Sequence, residues 1–189
     1  MKTQIAYLSW SDLGVISVAY IISFSLMLGF ITPLQGILLP ELTQYVSLLF
    51  LPHGVRVLAI HYFGWKAVIY LLPSSTLMWF VVNFDNASDA SLVAIIVSLL
   101  ACYVGVGIVR WTTKVHEHDY QSWSWKLLLL AGAVCSILNS LSLSFLYFTV
   151  PDLSIILGYV IGDTAGMAAT MVALIYVFKV ADKLSRKGL

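Results

Sequence analysis

The sequence predicts an all-α polytopic membrane protein of six transmembrane helices, and three observations carry that reading. Of its 189 residues, 60% are hydrophobic and only 10% are charged, against roughly 45–50% and about 25% in soluble domains. The mean hydropathy is +0.94, and six spans of about 20 residues use roughly 120 positions, close to the apolar share of the chain. The basic residues, finally, collect on one side of those spans. Together these exclude a kinase, nuclease or cyclase module, because only about 70 residues remain for termini and loops. Residues 1–189 therefore read as a single integral-membrane domain. A formal net charge of +1 provides no basic field of the kind that binds nucleic acid. Cys102 and Cys135 sit within apolar runs and read as small packing residues, not a disulfide framework.

The first span covers residues 13–32, after a short polar start with Lys2 and Asp12. No small-x-small cleavage pattern closes it, so it is expected to be retained. Pro33 to Glu41 reads as a loop because it holds two prolines and a glycine. Residues 42–63 form a second span that is broken at Pro52-His53-Gly54 and carries Arg56 and His61. The third, 67–84, has its own interruption at Pro73-Ser74-Ser75 and ends at the acidic loop Asp85 to Asp89. Spans at 91–109, 127–149 and 153–180 follow, with a polar loop from Arg110 to Lys126 and a basic tail after Asp182.

Cytoplasmic loops retain Lys and Arg, and with the N-terminus inside, nine of the ten basic residues fall on the inner side. The outer side holds Glu41, Asp85, Asp89 and Asp152. Both termini are thus predicted to be cytoplasmic, in a bacterial inner membrane. The same count requires residues 42–63 to cross, since a re-entrant hairpin would scramble the bias. Trp10, Trp65, Trp111, Trp123 and Trp125 lie near the inner boundaries, as interfacial aromatics do.

With the loops assigned, Arg56 and Asp163 are the full charges left within spans, and each costs at least ~2.5–3.5 kcal/mol to insert. Asp163 lies 11 residues beyond Asp152, about 16 Å of helix rise, near the middle of a core of roughly 30 Å. The Pro52-His53-Gly54 break, Asn139 and the Ser74-Ser75 pair share that depth. One reading makes Arg56 and Asp163 a structural ion pair, with Asn139 and Ser74 as interhelical hydrogen-bond glue. The other makes the break a binding site: if helix resumes near Gly54, its positive dipole end, His53 and Arg56 converge on a carboxylate or phosphate. Asp163 would then balance the charge, with Asn139, Ser74 and Ser75 contributing hydrogen bonds. Gly162 and Gly166 form a small-x-x-x-small face for close helix packing.

His116-Glu117-His118-Asp119 has metal-ligand residue types, but its i, i+2 histidines lack the i, i+4 geometry of the common zinc motif and read as a solvated loop. His53 and His61 without partner histidines do not make a haem site. Neither metal nor cofactor is expected. No nucleophile stands with a base in a recognisable pattern, so the chain does not read as an enzyme. Ser140, Ser142 and Ser144 are expected to bond their own helix carbonyls.

Two stretches resemble a known family. Phe50-Leu51-Pro52-His53-Gly54-Val55-Arg56-Val57-Leu58-Ala59, running on to Gly64-Trp65-Lys66-Ala67, resembles the proline-x-glycine entry of the MASE-type integral-membrane sensor domains. Gly162-Asp163-Thr164-Ala165-Gly166 is similar to their late-helix Gly-Asp-x-x-Gly signature. The resemblance covers roughly residues 50–179 and departs from the family at His53 and Arg56, where small or apolar residues are more usual. It implies signal reception ahead of an output module; none follows Leu189, so output is expected to pass through a partner. The leading reading is therefore a stand-alone sensory or ligand-binding membrane protein whose partners are lipid, a small anionic molecule and a protein carrying the output or energising module. A substrate-binding subunit of a small-molecule transporter and a structural subunit of a membrane complex are the alternatives.

Overall fold

The computed structural model describes residues 8–40, 47–83, 92–113, 123–147 and 153–186, and every regular element among them is helical. Helix α1 (Trp10–Leu26) begins at Ser9, whose hydroxyl accepts the Asp12 N–H at 3.3 Å and satisfies one of the donors that a helix start leaves unpaired. One π turn, Met27–Ile31, leads without a break into α2 (Thr32–Leu38). The loop expected from Pro33 is thus helical as far as Leu38. The π turn accommodates it: the Thr32 N–H reaches back to Met27 O, and Pro33 follows at once in α2, where its fixed φ suits helical backbone.

A similar correction applies to the second span. The chain from Ser47 to Phe50 is non-helical, and α3 (Leu51–Phe63) starts at Leu51 with Pro52 in its first turn. Pro52-His53-Gly54 therefore initiates a helix and does not break one, since proline's fixed φ suits a first turn. The discontinuity lies just upstream. At the other end Gly64, at φ +59°, supplies the left-handed residue that closes α3. The interruption expected at Pro73-Ser74-Ser75 is also absent: α4 (Lys66–Val82) runs through Pro73. A proline removes one backbone bond, and in an apolar surrounding the remaining groups have no better partner than their own helix.

Helices α5 (Val93–Thr113), α6 (Trp125–Tyr147) and α7 (Leu153–Arg186) complete the bundle. Among the described residues, four segments are long and apolar enough to cross a membrane: Trp10–Leu38, Val93–Thr113, Trp125–Leu146 and Ile156–Arg186. The 17 residues of α4 and the 13 of α3 fall short of that length. The acidic loop Asp85 to Asp89, the His116 to Asp119 cluster, Glu41 and Asp152 lie outside the described residues.

The shortest of these six is the innermost. Helix α3 packs against α1, α4, α5, α6 and α7, and nine of its 13 residues are buried. Without a hydrophobic drive between helices in lipid, such packing depends on close backbone approach at small residues. Gly105 on α5 receives Cys135 of α6, whose Sγ donates to Cys102 O at 3.2 Å. Gly162 and Gly166 on α7 do accept a close backbone, but it is the non-helical Ser47–Phe50 segment and not a helix. Beyond Met171, α7 leaves the bundle with Val172, Ile175, Val177, Phe178 and Val180 exposed. At the end of the bundle where α1 begins, Tyr70 Oη accepts the Ser9 N–H at 2.9 Å, Arg110 donates to His61 O at 2.6 Å, and His61 stacks on Trp123 at 4.6 Å. Trp10, Trp65, Trp111 and Trp125 are exposed, whereas Trp123 is buried in this knot.

A methyl group at Gly166 would collide with the carbonyl oxygen of Phe50, whereas one at Gly107 meets nothing within 4 Å. Gly166→Ala is expected to lower stability by about 1–3 kcal/mol through overpacking and Gly107→Ala to leave it unchanged or improved, measured as unfolding midpoints in detergent.

Candidate ligand site

The start of α3 is held by an unusual set of bonds. Non-helical backbone inside an apolar bundle leaves N–H and C=O groups that must find partners. Leu48 N–H donates to the Gln35 side chain at 2.9 Å, and Phe50 N–H donates to Gly162 O at 3.0 Å. Thr170 Oγ1 donates to Leu51 O at 3.1 Å. Gln35, placed in a loop by the sequence, is in fact a buried helical residue. These bonds position His53 and Arg56 one and two turns into the bundle.

Arg56 is buried, and its guanidinium donates to Tyr20 Oη at 2.6 Å and to Ser98 Oγ at 2.7 Å. The rings of Tyr20 and Phe50 lie 5.4 and 5.6 Å from its central carbon, within cation–π range. All of these partners are neutral. Among the described residues no carboxylate lies within ion-pair distance of Arg56. Hydrogen bonds to a charged group are worth about 1.5–3 kcal/mol each, enough for two to offset an insertion cost of ~2.5–3.5 kcal/mol, and no carboxylate among the described residues pairs directly with the guanidinium.

Asp163 is equally buried on α7 and is served by other residues. Its Oδ2 accepts from Ser136 Oγ at 2.8 Å and lies 3.4 Å from His53 Nδ1. His53 Nε2 donates to Gly132 O at 3.0 Å, an atom that can only accept. The group of α3 that faces Asp163 of α7 is thus His53, which forms an ion pair with it when the imidazole is protonated, and not Arg56. Ser136 also reaches Tyr159 O at 3.3 Å, so the α6–α7 contact is polar at this level.

Arg56 and Asp163 nonetheless face one space. A cavity of about 230 Å³ is lined by both, by Asn139, Ser75, Ser98 and Ser47, and by an aromatic and aliphatic wall that includes Tyr20, Phe24, Phe50, Trp79, Ile95, Leu143 and Tyr159. Of the residues read as a site from sequence, Arg56, Asp163, Asn139 and Ser75 meet here. His53 does not line the cavity and braces Asp163 from behind. Ser74 turns to its own helix, donating to Leu71 O at 3.1 Å, and is not interhelical glue. Ser140 likewise bonds Ile137 O at 3.0 Å. Tyr20, Ser98 and Ser136 were not singled out by the sequence reading. Ser136 was legible as the i, i+3 neighbour of Asn139 on one helical face, whereas Tyr20 and Ser98 carry no local signal.

Among the described residues, four polar atoms of the cavity's lining have no hydrogen-bond partner: Ser47 Oγ, Arg56 Nε, Ser75 Oγ and Asn139 Oδ1. Burying such a group unpaired costs about 1–3 kcal/mol, and these atoms gather around one space whose wall is otherwise mostly apolar.

Removing the Tyr20 hydroxyl takes away one of the two bonds that hold the guanidinium. Tyr20→Phe is expected to cost about 1.5–3 kcal/mol in a detergent unfolding titration, and Tyr103→Phe, on an unrelated face, close to nothing. Comparison with protein-family models, with curated proteins and with solved structures finds no match for this chain.

Proposed function

We propose that the protein is a six-span inner-membrane receptor subunit, with both termini cytoplasmic, that binds a small anionic molecule between α3 and α7 and passes the occupancy of that site to a protein partner. The observation that carries this reading is the buried Arg56 guanidinium, which borders the cavity and has only neutral partners among the described residues. A buried cation without a directly paired counter-ion is costly, and a carboxylate or phosphate in the cavity would supply one. In this arrangement α3 and the non-helical Ser47–Phe50 segment together make the second crossing, which explains why α3 alone is too short to span. The positive end of the α3 dipole adds to the attraction. Ser47 and Phe50 belong both to the cavity wall and to the contact with Gly162 and Gly166, so an occupant presses on the segment that seats α7. The exposed second half of α7 is where such a movement would be read.

Transport is the second reading, favoured by one observation. Discontinuous backbone beside a charged site is the device by which many transporters bind substrate at the membrane midplane.

The test is thermal unfolding of the purified protein in detergent against a panel of small carboxylates and inorganic phosphate. At least one should raise the midpoint of the wild type, and Arg56→Gln should abolish the shift while remaining folded. A shift retained in Arg56→Gln rules out the anion role. Accumulation of the stabilising compound in proteoliposomes containing the protein alone would favour transport over reception.

A further inference from the structure

We infer that the occupant is a small zwitterion with an apolar side group, of the free α-amino acid class; this rests on the ligand-site reading above and narrows it. Arg56 and Asp163 border the same cavity of about 230 Å³, yet they form no ion pair with each other. Two opposite charges held apart around one small space complement a molecule that carries both. Arg56 is anchored from the α1 and α5 sides by Tyr20 and Ser98, and Asp163 from the α6 side by Ser136. Each charge is thus fixed in place by its own neighbours, Asp163 by His53 as well as Ser136, which keeps the two from collapsing onto one another.

The unpartnered atoms add a second, independent sign. Asn139 Oδ1 can only accept a hydrogen bond, and it has no donor. An ionised carboxylate cannot provide one. An ammonium group provides three, enough for Asn139 Oδ1, Asp163 and the Ser75 hydroxyl together. The remaining wall, with Trp79, Phe24, Ile95 and Leu143, suits an aliphatic or aromatic side group. The volume lies below the roughly 300–1,000 Å³ of drug-sized sites, which favours a single amino acid over a peptide.

Thermal unfolding of the wild-type protein decides the matter without relying on any variant. L-leucine and L-phenylalanine are compared with the same molecules lacking the amine (4-methylpentanoate, 3-phenylpropionate) and lacking the carboxylate (3-methylbutylamine, 2-phenylethylamine). At least one amino acid should stabilise the protein, with both of its truncated forms at least about 100-fold weaker, because the site's own polar groups are then left unpaired. Asn139→Ala should weaken the amino acid and leave the truncated acid unchanged. If a truncated acid stabilises as well as its parent, the zwitterion inference falls and the anion site stands. If neither amino acids nor acids nor inorganic phosphate shift the midpoint, both fall. Stabilisation by phosphatidylethanolamine over phosphatidylglycerol nanodiscs, with no response to either amino acid, overturns the free amino acid in favour of a lipid headgroup.

Discussion

Ser47 to Phe50 lie as irregular, non-helical chain against α7, and they can do so because positions 162 and 166 are glycine. Any side chain at either position would meet a backbone carbonyl of the segment. The contact is completed by Phe50 N–H on Gly162 O, with the Gln35 side chain accepting Leu48 N–H. In an apolar bundle this is the condition on which irregular backbone is tolerated at all, because an unpaired amide has no water to turn to. Once the segment is seated, α3 must begin at Leu51, and a helix that begins inside the bundle can be only 13 residues long. The central position of α3, the burial of His53 and Arg56 and the presence of the cavity all follow.

The two intramembrane charges illustrate how such a bundle handles ions. Asp163 is compensated by a histidine and a serine, so its cost is met within the protein. Arg56 is solvated by a phenol, a hydroxyl and two ring faces, which spread the charge without cancelling it. A pure structural role would be served better by direct pairing of the two, because removing the counter-ion from a buried charge costs several kcal/mol. Their separation around a space lined by unpartnered Ser75 and Asn139 atoms gives the arrangement the character of a site.

How much of this was legible follows a clear line. The helical class, the apolar runs and the singling out of Arg56, Asp163, Asn139 and Ser75 came from composition and from the rarity of polar groups at mid-span. The prolines misled. Pro33, Pro52 and Pro73 each suggest an interruption by local rule, yet Pro33 and Pro52 sit in first turns and Pro73 is absorbed within α4. A π turn and a displaced helix start are decisions of the surrounding bundle and leave no mark at the proline itself.

What the sequence by itself determined is the solvent: residues this apolar, with so few charges, can only bury themselves in lipid and in one another. It also determined which side chains would be expensive there. Tertiary structure alone decided their partners, placing His53 and not Arg56 against Asp163 and bringing Tyr20 and Ser98 from distant helices to the guanidinium. Partner choice depends on helix rotation and depth. Those are set by where small residues let backbones touch, a property of pairs of helices that no single stretch of sequence contains.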